Sequence, residues 1–314
     1  MMIYITSLPV SLLVFILGVL LLYKGADFLI DGASKTAVRL GVSSLIVALT
    51  VVAYGTSMPE FAVSFLASLK GHTDIAVGNI LGSCIANLLL VLGISAVIKP
   101  IKVTKTVVIR EAPIMALSSF LLLLLSVGYV LDKIDGIILL LCFSAYIIFF
   151  IWIAKKTKNK NNYNIESSPM SKNAVLIVVG IIGIVIGARF LVDSSIFFAK
   201  TFGISEAVIA LSLIAIGTSL PELAVSGLAS WKGESDISIG NIIGSNIFNI
   251  LLVLGACLAV TSIIIDQKLF INMLLVCVVS IIVIPMLYTG YVLSRKEGVV
   301  LLIGYACYLM WLYL

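Results

Sequence analysis

The chain has 314 residues, 61% of them hydrophobic and 11% charged, with a mean hydropathy of +1.24 and a net charge of +5. Soluble domains carry about 45–50% apolar and about 25% charged residues, so a water-soluble globular module is excluded. The chain is a polytopic membrane protein, and its small positive balance reflects loop asymmetry more than a surface for nucleic acid.

Apolar stretches of bilayer length, about 20 residues for a helix, predict ten spans near 8–30, 43–69, 73–98, 106–128, 134–154, 173–199, 205–231, 236–263, 269–291 and 296–314. The first lacks a basic start and an obvious cleavage site and is therefore a span, not a removable signal. Asp27, Asp31 and Asp193, near span ends, read as capping or interfacial charges.

The second span contains AYGTSMPEFAVS, residues 53–64. Pro59 has no N–H for the carbonyl of Gly55 and its ring crowds that carbonyl, so the helix should break and release carbonyls between Ala53 and Thr56. Irregular backbone at this depth is tolerated where it lines a cavity or is buried in protein. Glu60 follows at once, and an ionisable group inside a membrane is costly enough to mark a functional site by default. Helical spacing puts Thr56 and Ser57 on the face of Glu60. His72 falls in the next short loop, beside Lys70 and Asp74. The third span adds Asn79, Ser83 and Asn87, spaced by four, with a Gly78/Gly82 pair of the kind that lets helices approach closely. Cys84, Cys142, Cys257, Cys277 and Cys307 lie in apolar runs without metal or redox spacing and read as packing residues.

After the fifth span comes AKKTKNKNNYNIESSPMSKN, the only long polar segment, which reads as a flexible cytoplasmic linker. Beyond it the chain repeats itself. Gly25 onward aligns with Gly187 onward without a gap through residue 95, with about half the positions identical and a constant displacement of 162. The seventh span thus carries AIGTSLPELAVS, with Gly217, Thr218, Ser219, Pro221 and Glu222, and the eighth carries Gly240, Asn241, Gly244, Ser245 and Asn249.

The organisation that follows is a first five-helix repeat at 1–154 (motif about 43–98), a linker at 155–172, and a second five-helix repeat at 173–314 (motif about 205–263). Five is odd, so the second repeat enters the membrane from the opposite side. The fold class is therefore all-α, with about ten transmembrane helices in two inverted repeats. Lys155, Lys156, Lys158, Lys160 and Lys172 in the linker, and Lys99, Lys102 and Lys105 after the third span, put both loops in the cytoplasm and both termini outside. Inverted repeats with interrupted helices near the midplane are a recurring plan of secondary transporters. Carboxylates, hydroxyls and freed carbonyls are hard oxygen donors, suited to Ca2+ or Na+ and poorly suited to Zn2+ or Cu+.

The paired GTSMPE and GTSLPE motifs, each followed by a GN-x-x-GS segment, resemble the two alpha repeats of the cation/Ca2+ exchanger superfamily, in its Na+/Ca2+ exchanger branch. The resemblance covers nearly the whole chain. It implies antiport of Na+ against Ca2+ by alternating access, in a cell membrane, with the two ions as substrates and no cofactor. By the same resemblance Glu60 and Glu222 are the central Ca2+ ligands, joined by the backbone carbonyls of Thr56 and Thr218. Sodium sites use the Ala53 and Ala215 carbonyls with Ser57, Ser83, Ser219 and Ser245, and Asn87 and Asn249 complete the centre. Relatives that exchange H+ usually carry glutamate where this chain has Gly-Ser after the GN pair, and K+-dependent relatives are among those with Asp in place of Asn249. H+/Ca2+ or K+-dependent exchange stays the alternative, with an ion channel behind it. No nucleophile–base pair or HExxH-type motif points to an enzyme, and beyond the lipid bilayer no obligatory partner is implied.

The parity of the repeats is directly testable. In a background stripped of native cysteines, Asn161→Cys and Leu314→Cys should be labelled from opposite faces of the membrane; labelling from one face means that a span is miscounted in the second half.

Overall fold

The computed structural model describes residues 8–157, 169–201 and 217–313. Its helices are α1 Leu8–Leu40, α2 Ser44–Thr56, α3 Met58–Leu69, α4 Thr73–Ile98, α5 Val107–Gly128, α6 Lys133–Thr157, α7 Met170–Thr201, α8 Leu220–Lys232, α9 Ser235–Val260, α10 Gln267–Tyr288 and α11 Arg295–Tyr313. Among the described residues seven helices are long and apolar enough to cross a membrane, or eight if the α2–α3 pair, bent by 48°, forms one span. Helices dominate because hydrocarbon offers backbone N–H and C=O groups no partner outside the segment itself.

The expected span at 73–98 is α4 residue for residue, whereas that at 43–69 is the pair α2–α3 with its break at Ser57. Of the span at 205–231, residues 205–216 lie outside the described residues, and α8 forms the remainder. One expectation is corrected. The first helix does not end near residue 30 but runs to Leu40, so Asp27 and Asp31 sit within it and cap nothing. Asp31 pairs with Lys35 one turn on, at 2.6 Å, and Asp27 pairs with Lys232 of α8. Asp193 likewise lies inside α7, 3.8 Å from the guanidinium of Arg189. Paired charges of this kind let a helix continue past the apolar stretch that a hydropathy reading detects.

Burial places the centre of the molecule at α4 and α9, whose apolar stretches are 78% and 83% buried against 17% for α6. The main core joins Leu81, Ile85 and Leu88 of α4, Met115 of α5, Ile243 and Ile247 of α9 and Met273 of α10. A helix as apolar as α6 and so little buried presents its surface to lipid.

Helices α1 and α7 pack antiparallel along a glycine seam. A Cβ added at Gly18 would stand 3.0 Å from the Gly187 carbonyl oxygen, and one at Gly25 would stand 2.8 Å from that of Gly180. Adding 162 to Gly18 gives Gly180, and to Gly25 gives Gly187, so each contact is the other with its partners exchanged.

Two short antiparallel sheets repeat the relation. β1 (Ile101–Lys102) pairs with β4 (Val292–Leu293), and β2 (Val130–Leu131) pairs with β3 (Ile263–Ile264). Ile101 faces Leu293, and the equivalent residues Ile263 and Leu131 face each other. Two-residue strands leave no periodicity in a sequence, and the sequence reading contains neither sheet.

Because the seam leaves no room for a side chain, Gly25→Val should lower stability by about 1–3 kcal/mol, the usual cost of overpacking. Thermal unfolding in detergent measures it, and an unchanged midpoint would mean that the two backbones stand further apart.

Candidate cation site

The site is built on the helix break between α2 and α3 and on the matching start of α8. Ser57 (φ −84°, ψ 4°) and Ser219 (φ −89°, ψ 4°) leave helical geometry in the same way, each two residues before a proline. Pro59 and Pro221 then occupy the first turn of α3 and α8, where a missing N–H costs nothing. Glu60 and Glu222 fall in those same first turns, facing the partial positive charge of a helix N-terminus.

The carbonyl of Ala53 departs from expectation. It accepts the Ser57 N–H at 3.0 Å and lies 3.2 Å from the Thr56 hydroxyl, so it stays engaged with its own segment. The carbonyl that loses its helical donor is that of Gly55, because Pro59 has none to give. Ala215 falls outside the described residues.

Cross-connections between the two halves form the centre. Thr56 Oγ1 donates to Asn241 Oδ1 at 3.0 Å, and Thr218 Oγ1 donates to Asn79 Oδ1 at 3.3 Å. The amide nitrogens of Asn79 and Asn241 donate to Ser64 at 2.9 Å and to Ser226 at 3.0 Å. Ser83 donates to Glu60 Oε1 at 3.4 Å, and Ser245 to Glu222 Oε1 at 3.5 Å. Ser83 and Thr218 stand 3.4 Å apart, as do Thr56 and Ser245. Every one of these contacts recurs at a displacement of 162. Ser57 breaks the symmetry: it donates to Glu222 Oε1 at 3.1 Å, while the hydroxyl of Ser219 has no partner among the described residues.

Glu60 and Glu222 are both 0% exposed, and neither makes an ion pair with a described lysine, arginine or histidine. Among the described residues the Oε2 atom of each has no hydrogen-bond partner, nor do the amide oxygen and nitrogen of the buried Asn87 and Asn249. Both asparagines are the second residue of a wide π-helical turn, 86–91 in α4 and 248–254 in α9. Such turns interrupt the regular ladder and are frequent at functional sites. Buried carboxylates without a counter-charge cost several kcal/mol each, and buried amides left unpaired cost about 1–3 kcal/mol per group. An arrangement so unfavourable by itself, made of oxygen donors, suits a hard cation.

Packing explains why the two halves meet. A Cβ at Gly240 would lie 2.7 Å from that of Ala48, and one at Gly244 would lie 2.6 Å from that of Ala53 and 2.9 Å from the Leu49 carbonyl. Bare backbone thus lets α9 rest directly on α2 and brings Asn241 to Thr56. Tyr146 of α6 braces the same stretch of α2 by donating to the Leu49 carbonyl at 3.2 Å.

Of the twelve sequence-derived site residues, eleven are described, and Ala53, Thr56, Ser57, Glu60, Ser83, Asn87, Ser219, Glu222, Ser245 and Asn249 are all buried, with Thr218 half-buried. Hydrogen bonds link seven of them into the network above: Thr56, Ser57, Glu60, Ser83, Thr218, Glu222 and Ser245. Ser64 and Ser226 escaped notice. Their signal was available, since each lies four residues after its glutamate in an identical AVS segment.

Fold and site together define a multi-pass helical membrane protein whose acidic centre is assembled from the α2–α3 break and the first turn of α8. The chain belongs to the sodium/calcium exchanger protein family, whose profile matches residues 10–152 and 172–314. It is 33% identical to the sodium/calcium exchanger MaX1 of Methanosarcina acetivorans, over 98% of this chain and 99% of that protein. The putative antiporter CaxA of Alkalimonas amylolytica is 40% identical over 76% of this chain and 77% of its own length. A solved structure of the sodium-calcium exchanger NCX_Mj, soaked with zero Na+ and Ca2+, superposes with a TM-score of 0.85 at 32% identity, covering 98% of this chain and 100% of that one.

If α9 must touch α2 to complete the centre, Gly244→Val should leave an assembled membrane protein with strongly weakened Ca2+ binding. Calorimetric titration beside a thermal melt would separate the two effects; full binding would show that Thr56 and Asn241 need not meet.

Proposed function

We propose that the chain is a Na+/Ca2+ antiporter of the cell membrane, working by alternating access. The observation that carries this reading is the pair of buried glutamates, one from each half of the chain, neither paired with a described basic residue and linked across the halves by Ser57. In this reading Glu60 and Glu222 hold Ca2+ with the carbonyls of Thr56 and Thr218. Na+ uses Ser57, Ser83, Ser219, Ser245 and the carbonyls of Ala53 and Ala215, and Asn87 and Asn249 close the centre.

Two carboxylates give the centre a charge of −2, which one Ca2+ neutralises and Na+ ions can neutralise in its place. The two kinds of ion compete for the same oxygens. Reorienting the empty centre would carry uncompensated charge through a low-dielectric barrier, at a cost of several kcal/mol, so ions cross only in exchange. If more Na+ charge enters than Ca2+ charge leaves, each extra charge gains about 2.3 kcal/mol per 100 mV, and the membrane potential drives export.

The architecture of this reading is ten spans in two inverted five-helix repeats, 1–154 and 173–314, joined by a cytoplasmic linker, with both termini outside. Three observations support it. Helices α1 and α7, equivalent by the displacement of 162, run antiparallel. The family profile spans each half separately. The β1–β4 contact joins two loops that ten spans would put on the cytoplasmic side, and β2–β3 joins two that they would put outside.

Purified protein in liposomes should take up Ca2+ when a Na+ gradient is imposed, with K+ and pH varied separately having lesser effects. Glu60→Gln and Glu222→Gln should each reduce that flux to about one hundredth or less, the factor that corresponds to losing about 3 kcal/mol at a buried charge, with the thermal midpoint maintained. Near-normal flux in either variant would remove that glutamate from the site.

A further inference from the structure

Asn79 and Asn241 stand outside the cation ligand set, yet each joins one half of the chain to a threonine of the other. The amide orientation of Asn79 is fixed by its neighbours. Asn79 Nδ2 lies 2.9 Å from Ser64 Oγ and 3.5 Å from the Glu60 main-chain oxygen, and a carbonyl there requires the donor end of the amide. Its Oδ1 therefore faces Thr218 and can only accept. Asn241 makes the equivalent side-chain contacts, with Nδ2 on Ser226 and Oδ1 on Thr56, and takes the same orientation by its equivalence to Asn79 at a displacement of 162. Ser226 is itself held, since its carbonyl accepts the Ser238 hydroxyl at 2.9 Å.

The Thr56 hydroxyl has one proton and two carbonyl-type acceptors, Asn241 Oδ1 at 3.0 Å and the Ala53 oxygen of its own helix at 3.2 Å. Where the proton goes decides what Ala53 can do. Pointed at its own helix, as threonine does in most membrane helices, the hydroxyl would occupy a lone pair of the Ala53 carbonyl beside the bond from Ser57 N–H. Drawn to Asn241, it frees that lone pair for a cation.

We propose that Asn79 and Asn241 are positioning residues that take the threonine proton of the opposite half, and that Asn241 in this way keeps the Ala53 carbonyl available to Na+. The proposal rests on the antiport reading and on Ala53 being a Na+ ligand. It assigns a selective role: Ca2+, held chiefly by Glu60 and Glu222, depends little on the amide, and Na+ depends on it directly. A merely structural asparagine would affect both ions alike.

The test measures half-saturating Na+ and Ca2+ for exchange in proteoliposomes, with thermal melts in detergent alongside. Asn241→Leu, which keeps the volume and removes both hydrogen bonds, should raise half-saturating Na+ about tenfold and leave that of Ca2+ within about twofold. In a Thr56→Val background, which has no hydroxyl to redirect, Asn241→Leu should change Na+ no further. Ser226→Ala loosens the amide without touching the centre; it should raise half-saturating Na+ about threefold, and it keeps the question open to test should the leucine variant fail to assemble. Equal rises for both ions, additive losses in the double variant, or an unchanged Na+ dependence in Ser226→Ala would each overturn the role given to Asn241. Wild-type protein in which Na+ neither drives Ca2+ flux nor displaces Ca2+ would overturn the antiport reading, and this assignment with it.

Discussion

Two carboxylates buried side by side in a membrane protein without a basic partner set the terms for everything around them. Glu60 and Glu222 are fully enclosed, and each engages one oxygen with serine while the other oxygen has no partner within the described protein. Lipid cannot solvate them and no described arginine or lysine neutralises them. What surrounds them instead is a set of weak, adjustable stabilisers: two helix N-termini, two serine hydroxyls and a third reaching across from Ser57. Such a shell holds negative charge without quenching it, and a cation can replace its contacts without leaving a fixed counter-charge behind.

The breaks that create these N-termini depend on their position in the sequence as much as on proline itself. A proline placed at random in a span would expose backbone to lipid. Here Ser57 and Ser219 bend the chain where α4 and α9, the two most enclosed helices, supply polar side chains from the other side. Bare backbone at Gly240 and Gly244 permits that approach, much as Gly18 and Gly25 permit the approach of α1 to α7. Glycine in both places acts by absence of a side chain, which is why its role cannot be read from one helix alone.

The hydrogen-bond network is almost two-fold. Most contacts recur in pairs at a displacement of 162; the Ser57–Glu222 bond does not, its counterpart Ser219 having no partner among the described residues, and neither does the contact of Asn79 with the Glu60 main-chain oxygen. A protein of this kind has two equivalent ways to be asymmetric, and exchanging them interchanges the roles of its halves.

Much of this was legible in the sequence because membranes impose simple rules. Span positions follow from apolar length, so 73–98 was located to the residue, and the break at Pro59 follows from covalent chemistry. Duplication made the acidic pair conspicuous, since an internal copy supplies the comparison that a single motif lacks. Other features were beyond a linear reading. The extension of α1 to Leu40 keeps Asp27 inside a helix, where it pairs with Lys232, two hundred residues away. The short sheets have no periodicity to detect, and the Ala53 carbonyl stays engaged because helical geometry persists through Thr56 to the N–H of Ser57. The sequence by itself determined which groups are present and how often they recur; only the tertiary structure decided that each threonine meets the asparagine of the other half, because hydrogen bonds between distant segments depend on how helices cross, and crossing is settled by packing that no single helix encodes.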